Sequence, residues 1–92
     1  MNKVLYFTSP GCGVCVDLKP KVNALVKSEF PKLEFELVDI AQKPEMAGQY
    51  TVFVSPTILV FFEGRETHRF VRNMSIGDFR EKVARLYKLY FM

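Results

Sequence analysis

The run Thr57-Ile58-Leu59-Val60-Phe61-Phe62 carries no charge over a full strand length. Half-buried strands alternate apolar and polar residues, so an unbroken apolar run belongs to a strand covered on both faces, and helices are expected on both sides of one sheet. Val4-Leu5-Tyr6-Phe7 reads as another buried strand, ended by the turn Ser9-Pro10-Gly11. Leu33, Phe35 and Leu37 alternate with Glu34 and Glu36 in a third strand that runs into Val38-Asp39. Glu63-Gly64-Arg65 reads as a hairpin turn, after which residues 66–72 return as a more polar edge strand.

Between the strands the period becomes helical. Cys15, Leu18, Val22, Leu25, Val26 and Phe30 share one face, while Asp17, Lys19, Lys21, Asn23, Lys27 and Glu29 face mostly outward, and Pro31 stops the helix. Pro44 suits the first position of a short helix reaching about Tyr50. Ser75 is placed to cap the last helix, with Asp78 three residues on and Ile76, Phe79, Val83, Leu86 and Tyr90 following at steps of three and four. The order βαβαββα describes one α/β domain over residues 1–92.

Composition narrows what this domain can do. With 92 residues, 49% of them hydrophobic, there is enough apolar material for one packed core. Two cysteines are too few for a small fold held together by bridges. The net charge of +3, from 13 basic and 10 acidic residues, is mild and spread along the chain, which argues against a nucleic-acid partner. No segment approaches the roughly 20 apolar residues of a membrane span. The first residues lack a long apolar core and are interrupted by Pro10 and Gly11, so a cytoplasmic protein without a membrane partner is expected.

Both cysteines lie in Cys12-Gly13-Val14-Cys15, where the first strand gives way to the first helix. Thiols at that spacing can close on each other. The first turn of a helix presents unpaired N–H groups and the positive end of the macrodipole, which together favour a thiolate. Cysteine has a pKa of about 8.5, and helix N-termini in such motifs bring it to roughly 3.5 to 7.5. Cys12 at the cap is the expected nucleophile, and Cys15 at N3, on the core stripe, resolves the mixed disulfide. A structural zinc normally takes four ligands; the chain offers only these two thiols and the distant His68, so no metal is expected. His68 is read as exposed, Tyr6 as core, Tyr50 as packing beneath the loop before Pro56, and the charges of the last helix as a solvated face. Pro20, inside a helix where proline costs about 3 kcal/mol, is read as a structural kink. The apolar tail Leu89-Tyr90-Phe91-Met92 is read as helix core, with a weak dimer contact as the alternative.

The chain resembles the thioredoxin family through four separated features: the cysteine pair opening a helix, Pro20 eight residues after Cys12, Ser55-Pro56-Thr57 before the apolar strand, and Phe61-Phe62-Glu63-Gly64 at the hairpin. The resemblance implies the thioredoxin-like fold, with a central mixed four-stranded sheet and helices on both faces, and a core lacking the first strand and helix of full-length members. It implies a thiol-disulfide oxidoreductase that acts on disulfide-containing proteins, takes electrons from thioredoxin reductase or another thiol donor, and needs no cofactor beyond the cysteine pair. It also implies a cis peptide before Pro56 and a substrate surface made of Ser55, Pro56, Gly11, Gly13 and Val14, with the Ser55 backbone pairing with an extended peptide. At the places where the family carries a buried aspartate and a buried lysine this chain has Tyr6 and Leu37, so the usual proton relay is absent. Gly11 replaces an apolar tryptophan, and Val14 replaces a proline and restores an N–H. A glutathione-dependent reductase and a redox-inactive peptide-binding scaffold are the alternative readings.

Overall fold

The computed structural model describes residues 1–91. Its elements are β1 (Lys3–Thr8), α1 (Gly13–Glu29), β2 (Glu34–Asp39), α2 (Pro44–Gln49), β3 (Thr57–Phe62), β4 (Arg65–Val71) and α3 (Ile76–Phe91). The sheet order is β2-β1-β3-β4, with β1 parallel to β2 and antiparallel to β3, and β3 antiparallel to β4. This is the mixed four-stranded sheet that the resemblance implies.

Every residue of β3 is buried, as its uncharged sequence demands. Side chains alternate across a strand, so Ile58, Val60 and Phe62 join Tyr6, Val22, Val26, Phe79 and Val83 in a core beneath α1 and α3. Leu59 and Phe61 point the other way, joining Leu5, Phe7, Val38, Ala47 and Val52 on the face that α2 covers. Tyr50 closes that second core, edge-on to Phe7 and Phe61 at ring-centroid distances of 6.2 and 5.6 Å.

Several elements settle differently from their sequence patterns. The hairpin turn is Glu63-Gly64 alone, both with positive φ (53° and 82°), and Arg65 already pairs with Phe62. Two left-handed residues match the right-handed twist of the flanking strands, which closes the turn a residue early. On the edge strand β2, Phe35 is half-buried and Leu37 is 43% exposed, whereas every residue of β3 is buried. His68 is half-buried rather than exposed, stacked on Phe70 at 5.7 Å. The cause is a register shift at Val60/Phe61: Phe61 pairs with Glu66 while Val60 pairs with His68, leaving Thr67 as the extra residue. A bulge reverses the side-chain parity beyond it, so His68 faces the α3 side opposite Val60.

The C-terminal aromatics are helix core. Tyr90 stacks on Phe62 at 4.8 Å and Phe91 lies 6.0 Å from the same ring, whereas Leu89 is 74% exposed. Met92 lies outside the described residues. The Ser75 hydroxyl accepts the Asp78 N–H at 3.0 Å, capping α3. Along α3, Asp78–Lys82 and Glu81–Arg85 pair one turn apart, and Arg80 reaches across to Glu29 of α1 at 2.9 Å.

Candidate functional site

The turn from β1 into α1 brings the two cysteines together at a helix start. Gly11 adopts φ +78°, a left-handed conformation that side chains resist, and the chain then enters the helix with Cys12 as its N-cap. Cys15 is the third residue of α1, and its N–H donates to the Cys12 Sγ at 3.2 Å. The two sulfurs are joined in a disulfide, with Cα atoms 5.3 Å apart. No acidic residue occupies the first turn, so nothing there opposes a negative charge on Cys12. The pair is unequally accessible: Cys15 is 2% exposed and packed in the α1/α3 core, while Cys12 is half-buried and borders a groove.

Tyr6 lies under this turn, with no exposed surface. Its hydroxyl donates to the Cys15 carbonyl at 3.0 Å. Burial alone pushes its pKa up to about 12, and no charged neighbour acts on it. The phenol therefore stays neutral at physiological pH; it is a donor that holds the first turn of α1, and a very poor base. Leu37 pairs with Tyr6 in the β1/β2 register but contributes no polar group.

The opposite wall comes from the loop that enters β3. The Ser55–Pro56 peptide is cis. The Thr57 hydroxyl donates to the Val54 carbonyl at 2.8 Å, and the Arg72 N–H donates to the Pro56 carbonyl at 3.0 Å. Ser9 Oγ and Ser55 Oγ are 2.6 Å apart, so the loop after β1 and the loop before β3 are clasped directly. Among the described residues no backbone hydrogen bond takes up the N–H or C=O of Ser55. Further back, the Arg69 guanidinium on β4 donates to the carbonyls of Tyr50 and Thr51 at 2.6 and 2.9 Å, anchoring the start of this loop where α2 ends.

These walls enclose a groove of about 660 Å³, lined by residues 9–14, 53–56 and 72–74 with Leu18 and Ile40. Gly11, Gly13, Val14, Ser55 and Pro56, singled out from the sequence, all line it beside Cys12, and Cys15 is excluded. Sequence reasoning missed Phe53 and Val54, which are 80% and 37% exposed, and the group Arg72, Asn73 and Met74. A signal for the first pair was present in two apolar residues immediately before the proline loop, outside any strand. Arg72 and Asn73 both have positive φ (44° and 30°), and only asparagine advertises tolerance of that region. Among the described residues no group of three or more His, Cys, Asp or Glu side chains could hold a metal, and no helix is long and apolar enough to cross a membrane.

Comparison with known proteins agrees with this geometry. The family model described as thioredoxin matches residues 1–85. The thioredoxin-like protein YdfQ of Bacillus subtilis is 31% identical over 86 residues, covering 94% of this chain and 76% of that protein. A thioredoxin of Chlamydia trachomatis is 38% identical over 65 residues, covering 71% of this chain and 63% of its own length. Among solved structures, thioredoxin 1 of Thermosipho africanus superposes with a TM-score of 0.87 at 29% identity, covering 95% of this chain and 96% of that one.

Proposed function

Because the chain belongs to the thioredoxin family, we propose that it reduces disulfides of protein substrates through a dithiol–disulfide cycle of Cys12 and Cys15. The observation that carries this reading is the unequal pair: a groove-lining sulfur at the helix cap joined to a buried sulfur one turn in. In the reduced protein the Cys12 thiolate attacks one sulfur of the substrate disulfide. The Cys12–substrate bond forms as the substrate S–S bond breaks, and the departing substrate thiolate takes up a proton. Cys15 then loses its proton, and its thiolate attacks Cys12 Sγ and releases the second substrate thiol. The substrate has gained two electrons and two protons, and the protein is left with the Cys12–Cys15 disulfide. A thiol donor, such as thioredoxin reductase drawing on NADPH, restores the dithiol.

Cys15 lies outside the groove lining, and its proton needs an acceptor other than Tyr6. Tyr6, the polar side chain bonded to that turn, is neutral and already donates to the Cys15 carbonyl. The departing substrate thiolate, or water in the groove, is the acceptor that remains. Ser55 and Pro56 form the substrate-holding wall, with the unpaired Ser55 backbone groups offered to an extended peptide; Gly11, Gly13 and Val14 form the facing wall.

The test is NADPH-driven reduction of insulin with thioredoxin reductase supplied, and Cys12→Ser run beside the wild type. Turnover that disappears in the variant supports the cycle. Equal turnover in both proteins overturns it.

A further inference from the structure

The groove carries one charge. Of the side chains that line it, Arg72 alone is ionised; the others are apolar, glycine, serine, asparagine or cysteine. Arg72 is exposed, and among the described residues it makes no ion pair. Its backbone is held firmly all the same. The N–H is bonded to the Pro56 carbonyl, and φ is +44°, a region costly for a residue with a long side chain. The one cationic residue of the groove lining is thereby fixed through its backbone to Pro56. Phe53, three residues before Pro56 in the same loop, also lines the groove and stands 80% exposed, so an apolar surface is open there to a bound segment.

Resting on the proposed reductase function, we infer that Arg72 and Phe53 set substrate preference: the groove selects protein disulfides flanked by an acidic residue and an apolar residue. The carboxylate pairs with Arg72, and the apolar side chain covers Phe53. Charge complementarity at the rim of a binding surface acts mainly on encounter and on salt dependence. An exposed pair of this kind is worth roughly a threefold preference at low salt, shrinking toward none as salt screens it.

The experiment compares kcat/KM on two extended disulfide peptides that share an aromatic residue beside the cystine and differ only in carrying Glu or Lys next to it. Wild type is expected to favour the Glu peptide about threefold at 20 mM salt and to lose the preference near 1 M salt. Arg72→Gly, which suits the positive φ, is expected to equalise the two peptides, Arg72→Lys to retain the preference, and Arg72→Glu to invert it. Replacing the shared aromatic by Ser is expected to lower kcat/KM for wild type and to leave Phe53→Ser unaffected. Equal rates on both peptides in wild type at low salt overturn the inference while leaving the reductase function intact; reduction of neither peptide, with insulin also untouched, is failure of the function itself. A Glu preference that survives in Arg72→Gly also overturns the assignment to Arg72. Glutathione disulfide, whose carboxylates sit on a small molecule, serves as the further arm: reduction faster than that of the Glu peptide and dependent on Arg72 overturns the choice of a protein segment.

Discussion

The Tyr6 hydroxyl donates to the carbonyl of Cys15 from beneath the first turn of α1, at 3.0 Å and out of reach of solvent. A side chain on an inner strand thus secures the Cys15 backbone without offering it a base.

Tyr6→Phe separates these two roles. Removing one buried donor is expected to lower the unfolding free energy at pH 7 by about 1 kcal/mol, while the pH–rate profile between pH 6 and 9 keeps its shape because the phenol is neutral throughout. The alkaline limb differs. With a folded pKa raised to about 12 by burial, the native state holds its proton where the unfolded chain, near 10, gives it up. Stability from this group is complete below pH 10 and falls as pH rises toward 12, by up to about 3 kcal/mol. Urea unfolding between pH 8 and 12 should show that decline in wild type and not in Tyr6→Phe.

Cys15→Ser should leave Cys12 able to attack and unable to be released. A mixed disulfide with a protein substrate is expected to accumulate and to resist everything but added thiol, detectable by non-reducing electrophoresis. Cys12→Ser should form no such adduct, since the remaining sulfur is buried.

Arg69 ties the loop that carries Phe53 to β4 through the Tyr50 and Thr51 carbonyls. Arg69→Ala is expected to cost about 1 kcal/mol and to raise KM more than it lowers kcat, because the groove wall moves while the sulfurs do not. Denaturant titration and steady-state kinetics on the same protein check both.

Phe53 is 80% exposed and contributes little to the core. Phe53→Ser should change stability by less than about 0.5 kcal/mol. Its KM for insulin should rise, a split that distinguishes a contact residue from a packing one.

His68 is held below its ordinary pKa, first by burial and then by Lys82, with Asp78 opposing. The unfolded chain therefore binds a proton at a pH where the native state does not. The stability from this histidine is present above about pH 6.5 and is lost as pH falls through the lower, folded value. Wild type should lose stability between pH 6.5 and 5 more steeply than His68→Gln, as read by thermal melting across that range.

Local spacing was enough for much of this molecule. The uncharged run from Thr57 to Phe62 required cover on both faces and received it from two separate cores. The cysteine pair at a strand-to-helix junction required one sulfur at the cap and one at the third helical position, and both are found there. Such features depend on residues within a turn or two of each other, where backbone geometry leaves few solutions. What the tertiary structure decided depends on pairings across long stretches of chain. Ser9 meets Ser55 over 46 positions only because β1 and β3 are neighbours in the sheet. Arg72 reaches the groove because β4 ends beside Pro56. A one-residue bulge opposite Val60 and Phe61 turned His68 inward, since side-chain parity follows register and register is a property of two strands, not of either one alone.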